Sequence, residues 1–209
     1  MFPISDDNPT RITPFVTYGL IAVNVVVFLH ELTLNQPQLE RFFQLYAVVP
    51  KELTASFGGI AVNQPVPEPL TLVTSQFLHG GFIHIFSNML FLGILGSNIE
   101  DKLGHFKYLI FYIFCGVLGA LSQWFFSAQS SIPSLGASGA IAGIIGAYTI
   151  RYPIFFCLGI GFLMQHGIAS LGVPTNVGME SGGIAYWAHA GGFAFGAILG
   201  PLLGLFSGE

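Results

Sequence analysis

The chain has 209 residues, enough for one domain, and only 8% of them are charged against 53% hydrophobic. A soluble domain carries about 25% charged residues, so a surface that faces water all round is excluded. The net charge of −4 offers no basic footprint, and no nucleic-acid partner is expected.

Residues 12–29, 69–99, 108–150, 152–179 and 181–208 contain no Asp, Glu, Lys or Arg. A helix needs roughly 20 apolar residues to cross the hydrocarbon core. The run 108–150 is too long for one crossing, and Gln129–Ser134 with Pro133 offers a break inside it. Six helices follow, over 13–31, 82–99, 106–127, 136–151, 154–172 and 184–206. The expected fold is all-α: a polytopic membrane protein of six transmembrane helices, in a single domain over 1–209. No separate signal peptide is read at the N-terminus, since the first apolar run is long enough to span.

Residues 1–12 form an N-terminal segment before helix 1. Segment 32–68 follows it and is amphipathic, with Arg41, Phe42, Phe43, Gln44, Leu45 and Tyr46 mixing aromatic and polar groups. That pattern fits a loop lying in the outer membrane interface; a merely solvated loop is the alternative. Arg11, Lys102, Lys107 and Arg151 all fall on one side of the predicted membrane, and Arg41 and Lys51 on the other. The positive-inside rule makes the first side cytoplasmic, with the N-terminus on it. The expected location is the plasma (inner) membrane.

Helices 2, 4 and 6 then run from outside to inside, so their N-terminal ends lie together. Polar groups cluster at those ends. His79 precedes helix 2, and His84 and Asn88 share one of its faces. Gly136, Ser138 and Gly139 open helix 4, and His189, Gly191 and Gly192 lie near the start of helix 6. Polar side chains inside a membrane are costly and mark function. A serine hydroxyl becomes nucleophilic when a base takes its proton, and neutral histidine is the usual base near pH 7. A tetrahedral oxyanion needs fixed donors, which His84, Asn88 and the Ser138 backbone N–H supply. No Asp or Glu is placed as a third member, so the expected catalytic unit is a Ser138–His189 dyad.

Small residues recur every four positions at Ser138, Ala142 and Gly146, and at Gly192, Gly196, Gly200 and Gly204. Such faces let membrane helices approach closely. Pro153 opens the next helix after a tight turn at Arg151, because one helix over 136–172 would rise roughly 55 Å, far beyond the bilayer core. Cys115 and Cys157 read as small core residues, and His30, His105 and His166 as structural. No His-Glu-x-x-His or Cys-x-x-Cys spacing is present, so no metal and no cofactor are expected.

These residues resemble the rhomboid family of intramembrane serine proteases. The resemblance rests on His79, the His84-x-x-x-Asn88 pair, Glu100-x-x-x-Gly104, Gly136-x-Ser138-Gly139 and Ala188-His189-x-Gly191-Gly192-Phe193, in that order. Ala142 stands where many relatives carry Tyr. The resemblance implies a rhomboid-like bundle with Ser138 as nucleophile and His189 as general base. It implies His84, Asn88 and the Ser138 backbone as the oxyanion hole, with His79, Gly136, Gly139 and Gly192 in support. The implied partners are the lipid bilayer and transmembrane protein substrates, cut near their outer ends. Two rivals remain: a non-catalytic relative that escorts membrane helices, which predicts loss of Ser138 or His189, and a transporter, which predicts polar residues at several depths.

Overall fold

The computed structural model describes residues 11–60, 64–152 and 186–206. Their regular structure is helical. Helix α1 spans Phe15–Glu31, α2 Gln36–Tyr46, α3 Pro50–Phe57 and α4 Glu68–Thr74. A 3-10 turn over Ser75–Phe77 leads to α5, Phe82–Phe91, which runs through a π-helical turn, Leu92–Gly96, into α6, Ser97–Leu103. Helix α7 spans His105–Phe126, α8 Ser138–Arg151 and α9 Tyr186–Leu203.

Five of the six expected helices have counterparts among these elements. Two stretches, Phe82–Leu103 and His105–Phe126, are long and apolar enough to cross a membrane, and Phe15–Glu31 is a shorter apolar helix. The fifth expected helix, 154–172, lies outside the described residues.

The main departures from expectation fall in the second, fourth and sixth helices and in segment 32–68. The second helix continues past residue 99 to Leu103, taking Glu100, Asp101 and Lys102 with it. It can do so because Glu100 is fully buried and bonded: it accepts from the Val16 and Thr17 backbone N–H groups at 2.9 and 2.8 Å, from the Thr17 hydroxyl at 2.7 Å, and meets His105 Nδ1 at 2.6 Å. Gly104 then stops it at φ +74°, a left-handed position that suits glycine. Helix α8 begins at Ser138 rather than 136, because Gly136 sits at φ +123°. Helix α9 covers Tyr186–Leu203 within the expected 184–206. Segment 32–68 holds two short helices and the start of a third. Helix α2 is opened by a capping box between Asn35 and Gln38, and proline stands in the first turns of α2, α3 and α4.

Helix α8 is the axis of the molecule. Every residue from Ser138 to Thr149 is buried, and a helix apolar on all sides belongs in a bundle centre. Helices α7 and α9 pack on it, with Tyr108, Phe111, Tyr112 and Cys115 of α7 fully buried. The helix ends at Arg151, with Tyr152 at φ −129° and ψ 80°. A continuous helix over 136–172 is therefore broken where the residue before Pro153 disfavours helical geometry.

Basic residues gather at one end of the bundle. Arg11 N–H reaches Asp101 Oδ1 at 2.5 Å, Lys107 Nζ donates to the Leu203 carbonyl at 3.1 Å, and the Arg151 guanidinium lies 5.6 Å from the Phe206 ring centre. Ser138 and His189 lie at the other end of α8 and α9.

Candidate active site

The chain enters α8 through a constrained approach. Val48 and Ser134 exchange backbone hydrogen bonds at 3.0 and 2.8 Å, and Gly136 N–H donates to the Ser75 carbonyl at 2.8 Å. A Cβ at Gly136 would stand 2.8 Å from His84 Cε1 and Nε2, so glycine here makes room for an imidazole as well as a turn. Ser138 is the first residue of α8, and no side chain caps that helix. The first N–H groups of a helix lack intrahelical acceptors, which leaves them facing the site.

His189 lies in the first turn of α9 and is 3% exposed; Ser138 is 9% exposed. His189 Nε2 stands 2.5 Å from Ser138 Oγ. With Nε2 unprotonated, the hydroxyl donates to it, which is the arrangement that lets histidine take the proton as serine attacks.

Glycine sets that distance. A Cβ at Gly192 would overlap the Gly139 carbonyl oxygen and lie 3.0 Å from its carbon. A Cβ at Gly196 would overlap the Gly143 backbone, and one at Gly146 the Phe193 carbonyl. On the remaining side of Gly139, the Ala188 carbonyl stands 3.6 Å from its Cβ direction. Helices α8 and α9 thus touch backbone to backbone, a small-residue contact typical of membrane helices.

His84 closes the other side. Gly80 N–H donates to His84 Nδ1 at 3.3 Å. With Nδ1 accepting, the neutral ring carries its proton on Nε2, the edge that faces Gly136 beside Ser138. Asn88 lies one turn further along α5, 5% exposed, and its Nδ2 has no partner among the described residues. It is a buried donor without an acceptor, and such groups need an explanation. His79 packs edge-on against His84, ring centres 5.1 Å apart. Burial first, and then His84, hold the His79 imidazole well below its usual range, at about 3, against a smaller opposing effect of the Phe77 backbone. His79 is therefore neutral.

The structure brings together His79, His84, Gly136, Ser138, Gly139, His189 and Gly192 of the residues singled out in the sequence, and Asn88 lies one turn along α5 from His84. His30 is elsewhere, against Phe42, and His105 belongs to the Glu100 network. Cys157 and His166 lie outside the described residues. Gln76 was missed. It is 2% exposed, its amide donates to the Leu72 and Ile113 carbonyls at 3.0 and 3.2 Å, and it lines a small pocket beside Ser138 with Ser75, Gly116 and Ala188. Its one sequence signal is a long polar side chain within the uncharged run 69–99.

A helical bundle in so apolar a chain, with a serine and a histidine apposed at the ends of two closely packed helices, defines a class of membrane-embedded protein. The chain belongs to the rhomboid family: a family model described as the Rhomboid domain matches residues 67–206. The family is membrane-embedded. The chain is 30% identical over 197 residues to rhomboid protein 1, mitochondrial, of Saccharomyces cerevisiae, covering 88% of this chain and 52% of that protein. It is 32% identical over 158 residues to RHOMBOID-like protein 4 of Arabidopsis thaliana, covering 74% and 40%. It is 27% identical over 146 residues to rhomboid-type serine protease 2 of Emericella nidulans, covering 68% and 29%. The chain thus spans about half or less of the length of these relatives. Their names include mitochondrial and, in a further Arabidopsis relative, chloroplastic proteins, so they lend no support to a plasma-membrane location.

Proposed function

We propose that this protein is an intramembrane serine endopeptidase that cuts transmembrane helices near their outer ends. The observation that carries the reading is the 2.5 Å approach of His189 Nε2 to Ser138 Oγ, buried at the uncapped start of α8. His189 takes the hydroxyl proton as Ser138 Oγ adds to the scissile carbonyl. The oxyanion then forms beside three donors: His84 Nε2–H, Asn88 Nδ2–H and the Ser138 backbone N–H. His189 returns the proton to the leaving amine, and a water, activated by the same ring, releases the acyl group from Ser138.

The membrane arrangement belongs to the same proposal. Ser138 and His189 meet near the starts of α8 and α9, so the two helices run in the same direction. The expected fifth helix, 154–172, belongs to the same proposal and lies outside the described residues. That makes six spans in one domain. The four basic residues of the opposite end put the N-terminus in the cytoplasm, and the plasma membrane remains the proposed location.

The test is cleavage of single-span substrates by the protein reconstituted in liposomes. Wild type should cut, and Ser138→Ala and His189→Ala should not. A fluorophosphonate should label wild type and not Ser138→Ala. Wild-type rates from Ser138→Ala would end the dyad. Absence of both cleavage and labelling in the wild type would favour a helix-escorting role.

A further inference from the structure

Glu31 closes α1 and is 3% exposed. A carboxylate at a membrane helix end normally reaches for water or a cation, and burying it is costly. Here its Oε1 accepts the His79 backbone N–H at 3.2 Å, across 48 positions of sequence, and its Oε2 has no partner among the described residues. The contact joins α1 to the short connection between the Ser75–Phe77 turn and α5.

That connection holds His84 from behind. Its two successive N–H groups point to different partners: that of His79 to Glu31 and that of Gly80 to His84 Nδ1. The second bond occupies the Nδ1 lone pair of His84 and so favours the proton on Nε2. The first fixes the backbone that makes the second. The His79 ring adds an edge contact to the His84 ring from the same connection.

We propose that Glu31 is a positioning residue for the oxyanion hole: it anchors the His79–Gly80 backbone to α1, and so holds His84 in the tautomer and place that direct Nε2–H at the reacting carbonyl. The proposal rests on the protease reading above for its kinetic consequence. Its structural half concerns His84 alone. Glu31 touches neither substrate nor nucleophile. What it supplies is one acceptor oxygen, so glutamine should replace it and an apolar side chain of similar length should not.

The experiment compares Glu31→Gln, Glu31→Met and Glu31→Asp with wild type, each first checked by its melting temperature in detergent. Asp falls one methylene short of the His79 N–H and gives a second variant should Met fold poorly. Two readouts are taken. In the first, cleavage of a single-span substrate, Met and Asp should lower kcat by roughly 10- to 100-fold, the scale of a small misplacement at a reacting centre, with KM unchanged. Gln should keep the wild-type kcat. The second is 15N magnetic resonance of labelled histidines, with His84 assigned through a His84→Ala sample. Wild type and Gln should show the Nε2–H tautomer, and Met and Asp a mixture. Wild-type kcat and an unchanged His84 spectrum in Met and Asp would overturn the proposal. So would a Gln variant as slow as Met. A wild type that fails to cleave sinks the protease reading instead, and the His84 spectrum then decides the role of Glu31.

Discussion

Replacing Gly192 with alanine tests the idea that backbone contact between α8 and α9 sets the catalytic distance. The added methyl would overlap the Gly139 carbonyl oxygen, with the carbonyl carbon at 3.0 Å and Ala142 Cβ at 3.4 Å. The Gly139 side is main chain inside a fully buried helix, so it cannot swing aside. Restoring van der Waals distance to the oxygen requires the helices to part by about 1 Å. Gly192 is three residues from His189, roughly 4.5 Å along the axis, so most of that displacement is passed to the imidazole. The 2.5 Å approach to Ser138 Oγ then becomes too long for efficient proton transfer. A misplacement of this size lowers kcat by roughly 100-fold, and overpacking costs about 1–3 kcal/mol of stability. Cleavage of a single-span substrate gives the first number and thermal unfolding in detergent gives the trend of the second. Gly19→Ala is the control: it lies on α1, and nothing stands within 4 Å of its Cβ direction. It should keep full activity and lose no stability. A Gly192→Ala protein with wild-type kcat would refute the reasoning, since the helices would then have room the structure does not show.

Asn88→Ala should lower kcat by the equivalent of roughly 2.7–4 kcal/mol and leave KM almost unchanged, because its donor engages mainly the developing oxyanion; an unchanged kcat would remove Asn88 from the site. Glu68, outside the proposed spans, governs a pH effect on stability. Burial, with Glu52 adding to it, raises its carboxyl from 4.5 to about 7. Between those values the folded chain holds a proton that the unfolded chain has lost, so stability is greatest below pH 4.5 and falls as pH rises through 7. Glu68→Gln should reduce that slope, gaining on wild type in melting temperature between pH 5 and 8; parallel curves would contradict the assignment.

Ser138 and His189 were legible because charge is so scarce in this chain. Six basic residues suffice to orient every predicted helix, and orientation alone brings the starts of helices 2, 4 and 6 to one depth. The short helices α2 and α3 were harder to read, since their apolar faces are brief and lie within a polar segment. Their start signals were nevertheless present in Asn35–Gln38 and Pro50. Glu31 and Gln76 were not legible as neighbours of the site. Each acts through a partner 48 or 37 positions away, and no local pattern encodes such a pairing. The start of α8 two residues late has a similar origin. Gly136 yields its space to the ring of His84, a residue of another helix.

The Glu100 network bears on the order in which the molecule is made. Its carboxylate ties down the start of α1 through Thr17, 83 positions earlier in the chain, and meets His105 five positions later. At 5–20 residues per second, a ribosome needs on the order of ten seconds to travel from Thr17 to His105. Through that interval the first turn of α1 lacks the carboxylate that anchors it. Helix α1 is thus secured only after α6 exists, and a nascent chain halted before Glu100 should leave the first turn of α1 unanchored.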